Sequence, residues 1–232
     1  MKILIVSATE KEIIPLINSL KAINQLDESG EFLYKSIIID ILVTGVGSVF
    51  TTYSLLQKLT TTKYDLVINA GIAGSFDSDL NVGDVVIVKQ DQFADLGIED
   101  ENSFSTLFEK GFISKSLFPF ENGVLINTTI FSKLLIKEIT PVTAITVNTT
   151  HGREESIYQF KEKFCADIET MEGAAFFYVC LQQKVPFIQL RAISNYVKPR
   201  KFAKWDIAKA IENLNAKLFE ILVVLEKDQT IK

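Results

Sequence analysis

The chain has 232 residues, of which 47% are hydrophobic and 23% charged, and its formal net charge is −5. These values predict a compact globular protein with a sizeable core and argue against a disordered chain. The acidic balance gives no basic surface for nucleic acid. We therefore expect one domain over residues 1–232 that takes a small-molecule ligand and no nucleic-acid partner.

Scarce residue types limit the chemistry. The chain has one His, His151, and two Cys, Cys165 and Cys180, which form no CxxC motif. A His-rich metal site is impossible, and zinc and disulfide frameworks are not expected. Any Ser/His/Asp or Cys/His triad would need His151, so we expect proton chemistry to rest on carboxylates, with no metal and no cofactor.

Apolar runs in the sequence are short. None approaches the roughly 20 residues of a membrane span. The apolar start, Met1–Ser7, is too short for a secretory signal and is more typical of a first core strand. We expect a cytoplasmic protein without membrane contact.

Short β-rich runs alternate with longer amphipathic stretches, which predicts a mainly parallel or mixed sheet covered by helices. The predicted strands are Lys2–Ser7, Ser36–Thr44, Leu66–Ala70, Asp84–Val88, Val142–Val147, Ala166–Thr170 and Phe187–Ser194. The predicted helices are Glu10–Ala22, Ser48–Leu59, Thr129–Glu138, Glu154–Lys163, Glu172–Lys184 and Lys204–Leu225. Asp91–Glu121 has no clear period and predicts a long loop or lid. Its phenylalanines fit a ligand-pocket wall, an oligomer interface or local core.

Three glycine-bearing segments follow or precede predicted strands. Thr44–Ser48 leads into a helix whose N–H groups can hold an anion or a hydroxyl-rich group, or it is only a tight turn. Phe50 stands where a dinucleotide-binding fingerprint needs its third glycine. Asn69–Ser75 lets backbone approach a ligand at a strand's carboxyl end, whereas Val82–Val86 is expected only to open a strand.

Three polar residues sit where strands end or helices begin. Glu12 lies about one turn into the first predicted helix, where it can overhang the sheet edge or be a solvated charge. Glu172 joins a strand end to a helix of small residues, and an acid there is also an ordinary helix-dipole partner. Asn195 follows the strand Phe187–Ser194 and either caps the next segment or faces a ligand.

Six segments occur in an order that resembles the nucleoside phosphorylase and nucleosidase superfamily, within it the methylthioadenosine/S-adenosylhomocysteine nucleosidases. These segments are Ser7–Glu12, Thr44–Gly47, Asn69–Gly74, Val82–Val86, Glu169–Ala175 and Arg191–Ser194. The resemblance implies a single α/β domain with a central twisted, mixed and partly barrel-like sheet flanked by helices. It also implies a nucleoside substrate and a homodimer or higher homo-oligomer.

The same resemblance implies the roles of individual residues. Glu12 would be the general base that activates water at C1′. Glu172 would accept hydrogen bonds from the ribose hydroxyls, with Met171 against the sugar. The further substrate-binding residues expected are Ala73, Gly74, Thr170, Ser194 and Arg200. Water is the expected nucleophile, because the first 150 residues offer no Arg to grip a phosphate.

One departure from the motifs of these nucleosidases concerns recognition of the purine base. The nucleosidases that act on 6-aminopurines have Asp after the Arg-Ala-Ile-Ser motif, where this chain has Asn195. With Tyr196–Arg200, Lys204–Asp206 and Phe93–Gly97, this exchange resembles the futalosine hydrolases, which remove hypoxanthine from futalosine in menaquinone biosynthesis. An Asn amide donates towards the N7 and O6 acceptors of a 6-oxopurine, whereas an ionised Asp repels O6. Asn195 is therefore expected to act with Glu12 at the reacting bond.

Futalosine carries a benzoate-bearing tail, which a cation should neutralise. The candidates are Arg153 and Arg200, with Lys198 and Lys201 behind them, unless these residues form only a solvated loop. Arg191 lies inside an apolar strand and is expected to be structural. His151 either contacts ligand or is a turn residue.

Other functions stay open on the sequence alone. The alternatives are another purine nucleosidase, of the methylthioadenosine/S-adenosylhomocysteine or aminodeoxyfutalosine type, and a 6-oxopurine nucleoside phosphorylase. A nucleoside-binding protein without turnover is a third, against which the presence of Glu12 and Glu172 argues.

Overall fold

The computed structural model describes residues 1–23, 30–101, 103–129 and 139–227. The strands are β1 (Lys2–Ser7), β2 (Phe32–Tyr34), β3 (Ile37–Val43), β4 (Leu66–Ser75), β5 (Val85–Phe93), β6 (Gly97–Asp100), β7 (Ser103–Thr106), β8 (Leu125–Ile126), β9 (Thr140–Thr146), β10 (Ile168–Thr170) and β11 (Phe187–Tyr196). The helices are α1 (Glu10–Ile23), α2 (Ser48–Thr61), α3 (Glu154–Phe164), α4 (Gly173–Gln183) and α5 (Ile207–Lys227), with a 3₁₀ turn at Arg200–Phe202.

Nine of these strands form one sheet, part of which closes on itself. β1 lies parallel between β3 and β4, and β2 pairs antiparallel with β3 at the edge. β4 continues parallel to β11, β11 antiparallel to β5, and β5 parallel to β9. β9 pairs with β10, which returns antiparallel to β4. The ring β4, β11, β5, β9 and β10 is a closed five-stranded mixed barrel, and it brings strand ends from distant parts of the sequence to one edge.

Helices cover both faces of the sheet. α1 and α5 pack on the face that includes Ile3 and Ile68, and α4 packs through Phe176 and Phe177 on the other. The apolar stripe of α5 arises from residues spaced three and four apart, and its buried members are Ala210, Leu214, Leu218, Ile221, Leu222 and Leu225. None of the helices in the described ranges is long and apolar enough to cross a bilayer.

The α/β class with a mixed, partly barrel-like sheet is confirmed, and each of the seven predicted strands is present. The prediction of a loop over Asp91–Glu121 is wrong in part, because β5 runs to Phe93 and β6 and β7 form a hairpin. Two of its phenylalanines, Phe108 and Phe120, pack in the core. Of the predicted helix Thr129–Glu138, all but Thr129 lies outside the described residues.

Candidate active site

A cavity of about 300 Å³ opens at the carboxyl ends of β1, β4, β10 and β11. Its wall includes seven of the predicted site residues: Glu12, Ala73, Gly74, Thr170, Met171, Glu172 and Ser194. A smaller cavity of about 30 Å³ adjoins it, shares Gly74 with it, and is lined by the other two, Asn195 and Arg200. The fold thus brings all nine predicted residues together, in a space of the size that small ligands occupy.

Glu12 is buried and held by backbone and hydroxyl donors. Its Oε2 accepts from the Thr9 amide at 2.9 Å and the Thr9 hydroxyl at 2.7 Å, and its Oε1 accepts from the Ile72 amide at 3.1 Å. The Thr9 contacts are a capping box at the start of α1, since the Glu stands three residues after the cap. The helix start therefore fixes this carboxylate at the sheet edge and in the cavity wall.

Glu172 reaches the turn before α2. Its Oε1 accepts from the Gly47 amide at 3.0 Å. Gly47 has φ +100°, a conformation that favours glycine and aims its N–H at the carboxylate. The segment predicted to hold an anion thus holds an anionic side chain of the protein. Burial raises the pKa of the Glu172 carboxyl, an effect opposed by Arg191 and the Gly47 hydrogen bond and reinforced by Glu12.

Arg191 is fully buried on β11, and its Nη2 lies 3.9 Å from Glu172 Oε2. Within the described residues its three nitrogens have no hydrogen-bond acceptor. A Cβ on Gly71 would lie 2.0 Å from Arg191 Nη1 and 3.1 Å from Glu12 Oε1, so this glycine leaves room for both groups. Sequence reasoning assigned Arg191 to the strand interior and missed this position between two carboxylates. A lone Arg in an apolar strand is the signal that could have revealed it.

Asn195 is buried at the small cavity with a defined amide orientation. Its Oδ1 accepts from the Ser194 hydroxyl at 2.8 Å, and its Nδ2 donates to the Tyr196 carbonyl at 3.1 Å. An amide nitrogen has two hydrogens, so one remains to donate into the cavity. The Thr170 hydroxyl, by contrast, accepts from the Gly173 amide at 3.2 Å and serves the start of α4.

The basic residues near the site differ in which cavity they line. Arg200 and Lys198 line the small cavity beside Asn195, and Arg200 donates to the Thr150 hydroxyl at 3.1 Å. Arg153 is exposed at the start of α3 and lies outside both linings. Lys11, which sequence reasoning did not single out, lines the large cavity next to Glu12. None of the six phenylalanines of Asp91–Glu121 lines either cavity.

His151 and Glu169 form a buried pair at the junction of the two cavities. Glu169 lines both, and its carboxylate contacts the His151 ring nitrogen Nδ1 and accepts from the His151 amide at 3.1 Å. His151 is thus at the site rather than only in a turn. Sequence reasoning included Glu169 only as part of the segment Glu169–Ala175. Its position near the end of an apolar strand is the signal that could have marked it as a site residue.

Asp91 anchors a polar network inside the barrel. It accepts from the Thr146 hydroxyl at 2.9 Å and from Gln189 at 3.1 Å. Thr146 in turn lies 3.1 Å from Thr170 and accepts from the Ala174 amide at 2.7 Å. Burial raises the pKa of Asp91 to about 7. The network ties the barrel interior to the strand–helix junction that presents Glu172.

The described residues hold no cluster of three or more His, Cys, Asp or Glu side chains placed to bind a metal ion. The polar groups that line the two cavities include three carboxylates, those of Glu12, Glu169 and Glu172, and the amide of Asn195, and the Arg191 guanidinium is buried beside Glu172. These groups can polarise water, stabilise positive charge on a sugar and hydrogen-bond a heterocycle.

The sequence model described as the phosphorylase superfamily matches residues 2–224 of this chain. The chain belongs to the phosphorylase superfamily. Among curated relatives in that superfamily, the futalosine hydrolase of Streptomyces coelicolor is 30% identical over 196 residues, which cover 81% of this chain and 80% of that protein. A methylthioadenosine/S-adenosylhomocysteine nucleosidase of Staphylococcus aureus is 28% identical over 198 residues, or 82% of this chain and 85% of that one.

Solved structures of the superfamily share this architecture. The nucleosidase of Neisseria meningitidis in complex with methylthio-immucillin-A superposes with a TM-score of 0.76 at 19% identity, covering 97% of this chain and 99% of that one. A futalosine hydrolase of Helicobacter pylori superposes with a TM-score of 0.75 at 20% identity, covering 97% and 98%. At these identities the likeness establishes the fold.

Proposed function

We propose that this chain hydrolyses the N-glycosidic bond of futalosine, releasing hypoxanthine and dehypoxanthine futalosine. The observation that carries the proposal is the uncharged Asn195 at one end of a site that also holds Glu12 and Glu172. The coarser prediction of an N-glycosyl hydrolase is confirmed, because its curated relatives bear the names of a hydrolase and a nucleosidase.

Glu12 is the general base in this proposal. The C1′–N9 bond breaks with its electron pair going to the purine, and a water oxygen bonds to C1′ as Glu12 takes the water's proton. The proton that the base acquires comes from solvent. Ser7, Thr9 and Ile72 hold the carboxylate at the cavity wall, where it can accept a proton from a water in the cavity.

Glu172 and Arg191 act on the sugar side. A carboxylate beside the ribose accepts from its hydroxyls and stabilises the positive charge of the oxocarbenium-like transition state. Arg191 is fully buried behind the cavity wall, where its Nη2 lies 3.9 Å from Glu172 Oε2. The positive charge of Arg191 also offsets the electrostatic repulsion between the Glu172 and Glu12 carboxylates.

Asn195 supports hypoxanthine as the leaving base. Asn195 lines the small cavity, and the N–H that it does not donate to the Tyr196 carbonyl suits the N7 and O6 acceptors of a 6-oxopurine. Asn cannot hand over a proton as Asp can. The hypoxanthine anion tolerates that loss, because it delocalises its charge better than an adenine anion.

Water suits this site better than phosphate does. Two carboxylates flank the position of C1′ and would repel a phosphate dianion, and the buried Arg191 is already opposite Glu172. For the acidic tail of futalosine, Lys11 in the large cavity is better placed than Arg200, which lies at the Asn195 end.

The proposal extends to the setting of the reaction. We place it in the cytoplasm and in menaquinone biosynthesis, with the chain as a homodimer or higher homo-oligomer. The apolar side chains exposed on α2, Val49 at 75%, Phe50 at 60% and Tyr53 at 68%, support association between copies.

The test compares futalosine, inosine and methylthioadenosine side by side in phosphate-free buffer, with free base measured by chromatography. We expect release of hypoxanthine from futalosine at the highest kcat/KM of the three. Preference for methylthioadenosine would contradict the proposal and favour the nucleosidase alternative.

A further inference from the structure

Glu169 is a buried carboxylate that the proposed cleavage step does not use. It is 5% exposed and lines both the large and the small cavity. His151 is the partner of this carboxylate, which also lines a ligand cavity where it can accept a further hydrogen bond.

The sheet register places Glu169 opposite Asn195. Gly74 on β4 pairs with Glu169 on one side and with Asn195 on the other. The Cα positions of Glu169 and Asn195 are therefore about 10 Å apart, which is two strand spacings. The β4–β11 register shifts between Ile193 and Asn195, and both Glu169 and Asn195 line the small cavity. The residue between them has no side chain. A Cβ on Gly74 would lie 3.3 Å from Asn195 Nδ2 and 2.9 Å from Val197 Cγ2, and would fill the floor between the two polar groups.

A purine bound above Glu169, Gly74 and Asn195 can present one edge to each of the two polar side chains. N7 and O6 face Asn195 in the proposed complex, and the neighbouring edge, which carries O6 and N1, is then the one that faces Glu169 in the wall of the same small cavity. N1 of a 6-oxopurine carries a hydrogen, whereas N1 of a 6-aminopurine is an acceptor. A carboxylate only accepts hydrogen bonds, so it pairs with the first and repels the second.

His151 fixes this carboxylate. The His151 amide donates to Glu169 Oε1 at 3.1 Å, the ring Nδ1 contacts Oε2, and the ring packs on Phe160 with centroids 4.0 Å apart. Each carboxylate oxygen has two lone pairs, so acceptor capacity is left for a ligand. His151 is therefore a positioning residue for Glu169.

We propose that Glu169 accepts a hydrogen bond from N1–H of the purine and is, with Asn195, a specificity-determining residue for 6-oxopurine nucleosides. The inference rests on the proposed function and deepens it. Asn195 and Glu169 then recognise neighbouring edges of the base, N7 and O6 by Asn195 and N1–H by Glu169, and each disfavours the 6-amino analogue.

The first test is Glu169→Gln, assayed by kcat/KM on futalosine and on its 6-amino analogue. The His151 amide holds the glutamine oxygen, so the glutamine NH₂ replaces Oε2 and offers a donor where N1–H needs an acceptor. We expect the futalosine preference to fall by about 10- to 100-fold. Glu155→Gln, an exposed change on α3, is the matched control and should keep the parent ratio. A Glu169→Gln ratio within twofold of the parent overturns the inference.

A second test needs no variant. Binding of hypoxanthine and of 1-methylhypoxanthine to the parent protein is compared by calorimetry. We expect the methylated base, which has no N1–H, to bind at least about tenfold more weakly, and equal binding overturns the role of Glu169. If futalosine releases no base, the proposed function is wrong. The comparison of hypoxanthine with 1-methylhypoxanthine still tests whether the protein recognises N1–H.

Discussion

Glu12 is the residue on which the proposed hydrolysis depends most directly. Glu12→Gln keeps the capping box, because Gln serves at that helix position as Glu does, but it cannot take a proton from water. We expect hypoxanthine release from futalosine to slow by about 100-fold or more, measured on folded variant protein. Glu10→Gln, an exposed change in the same helical turn, is the control and should keep the parent rate. Equal rates for Glu12→Gln and the parent would exclude the mechanism.

Asn195 decides which purine leaves. Asn195→Asp places acceptors where the parent offers an N–H, so O6 of a 6-oxopurine is repelled and the amine of a 6-aminopurine is accepted. We expect the ratio of kcat/KM for futalosine over its 6-amino analogue to fall by about 10- to 100-fold. A ratio that does not move towards the amino compound would show that Asn195 does not read the base.

Lys11 is the cation that lines the large cavity next to Glu12. Lys11→Gln removes a partner for the benzoate of futalosine but not for inosine, which has no tail. We expect KM for futalosine to rise by up to about fivefold, as for an exposed ion pair, with KM for inosine unchanged. Lys21→Gln, at the far end of α1, is the control. A parallel rise for both substrates would contradict a role in tail recognition.

At the scale of elements, the barrel network around Asp91 makes stability depend on pH. The folded pKa of about 7 lies above the ordinary aspartate value of 3.8, so the folded state holds this proton more tightly. The free energy of unfolding therefore falls as pH rises between those values, by up to about 1.4 kcal/mol per unit, and is level above. In Asp91→Asn, the side-chain amides of Gln189 and Asn69 can rotate to keep their hydrogen bonds. We therefore expect the melting temperature of this variant to depend less steeply on pH between 4 and 7.

The control for that slope is Asp79→Asn, an exposed carboxyl in the loop after β4. Its profile should follow the parent's. An Asp91→Asn profile as steep as the parent's would mean that another group carries the dependence.

Strands and helices with strong patterns could be predicted from the sequence, and short elements could not. The stripe of α5 and the apolar run of β11 specify their own structure. β2 and β8 have three and two residues, and they form because β3 and β5 offer them an edge. The β6–β7 hairpin likewise depends on pairing between strands rather than on an apolar period.

The site could be predicted where a motif fixes a side chain locally. Glu12 and Glu172 belong to segments that carry the family resemblance, and both lie in the cavity wall. Arg191 and Glu169 could not be placed, because their neighbours come from other strands. Only closure of the barrel sets Glu169 beside Gly74, and only the absent side chain of Gly71 admits Arg191.

At the scale of the whole molecule, the closed barrel explains why a chain with one His can assemble a hydrolytic site. β1, β4, β10 and β11 end at one edge, and they bring Glu12, Glu172, Arg191 and Asn195 together from positions far apart in the sequence. In the proposed complex, Glu12 and Glu172 lie beside the sugar and the Asn195 amide lies beside the base. That arrangement favours water as the nucleophile and a 6-oxopurine as the leaving group.

The most direct test is the mass of the sugar product formed from futalosine by the parent protein in excess phosphate. We predict that hypoxanthine appears at the same rate with and without phosphate, and that the sugar product carries a hydroxyl at C1′. A sugar 1-phosphate, or release of base only when phosphate is present, would contradict hydrolysis and assign the chain to phosphorolysis.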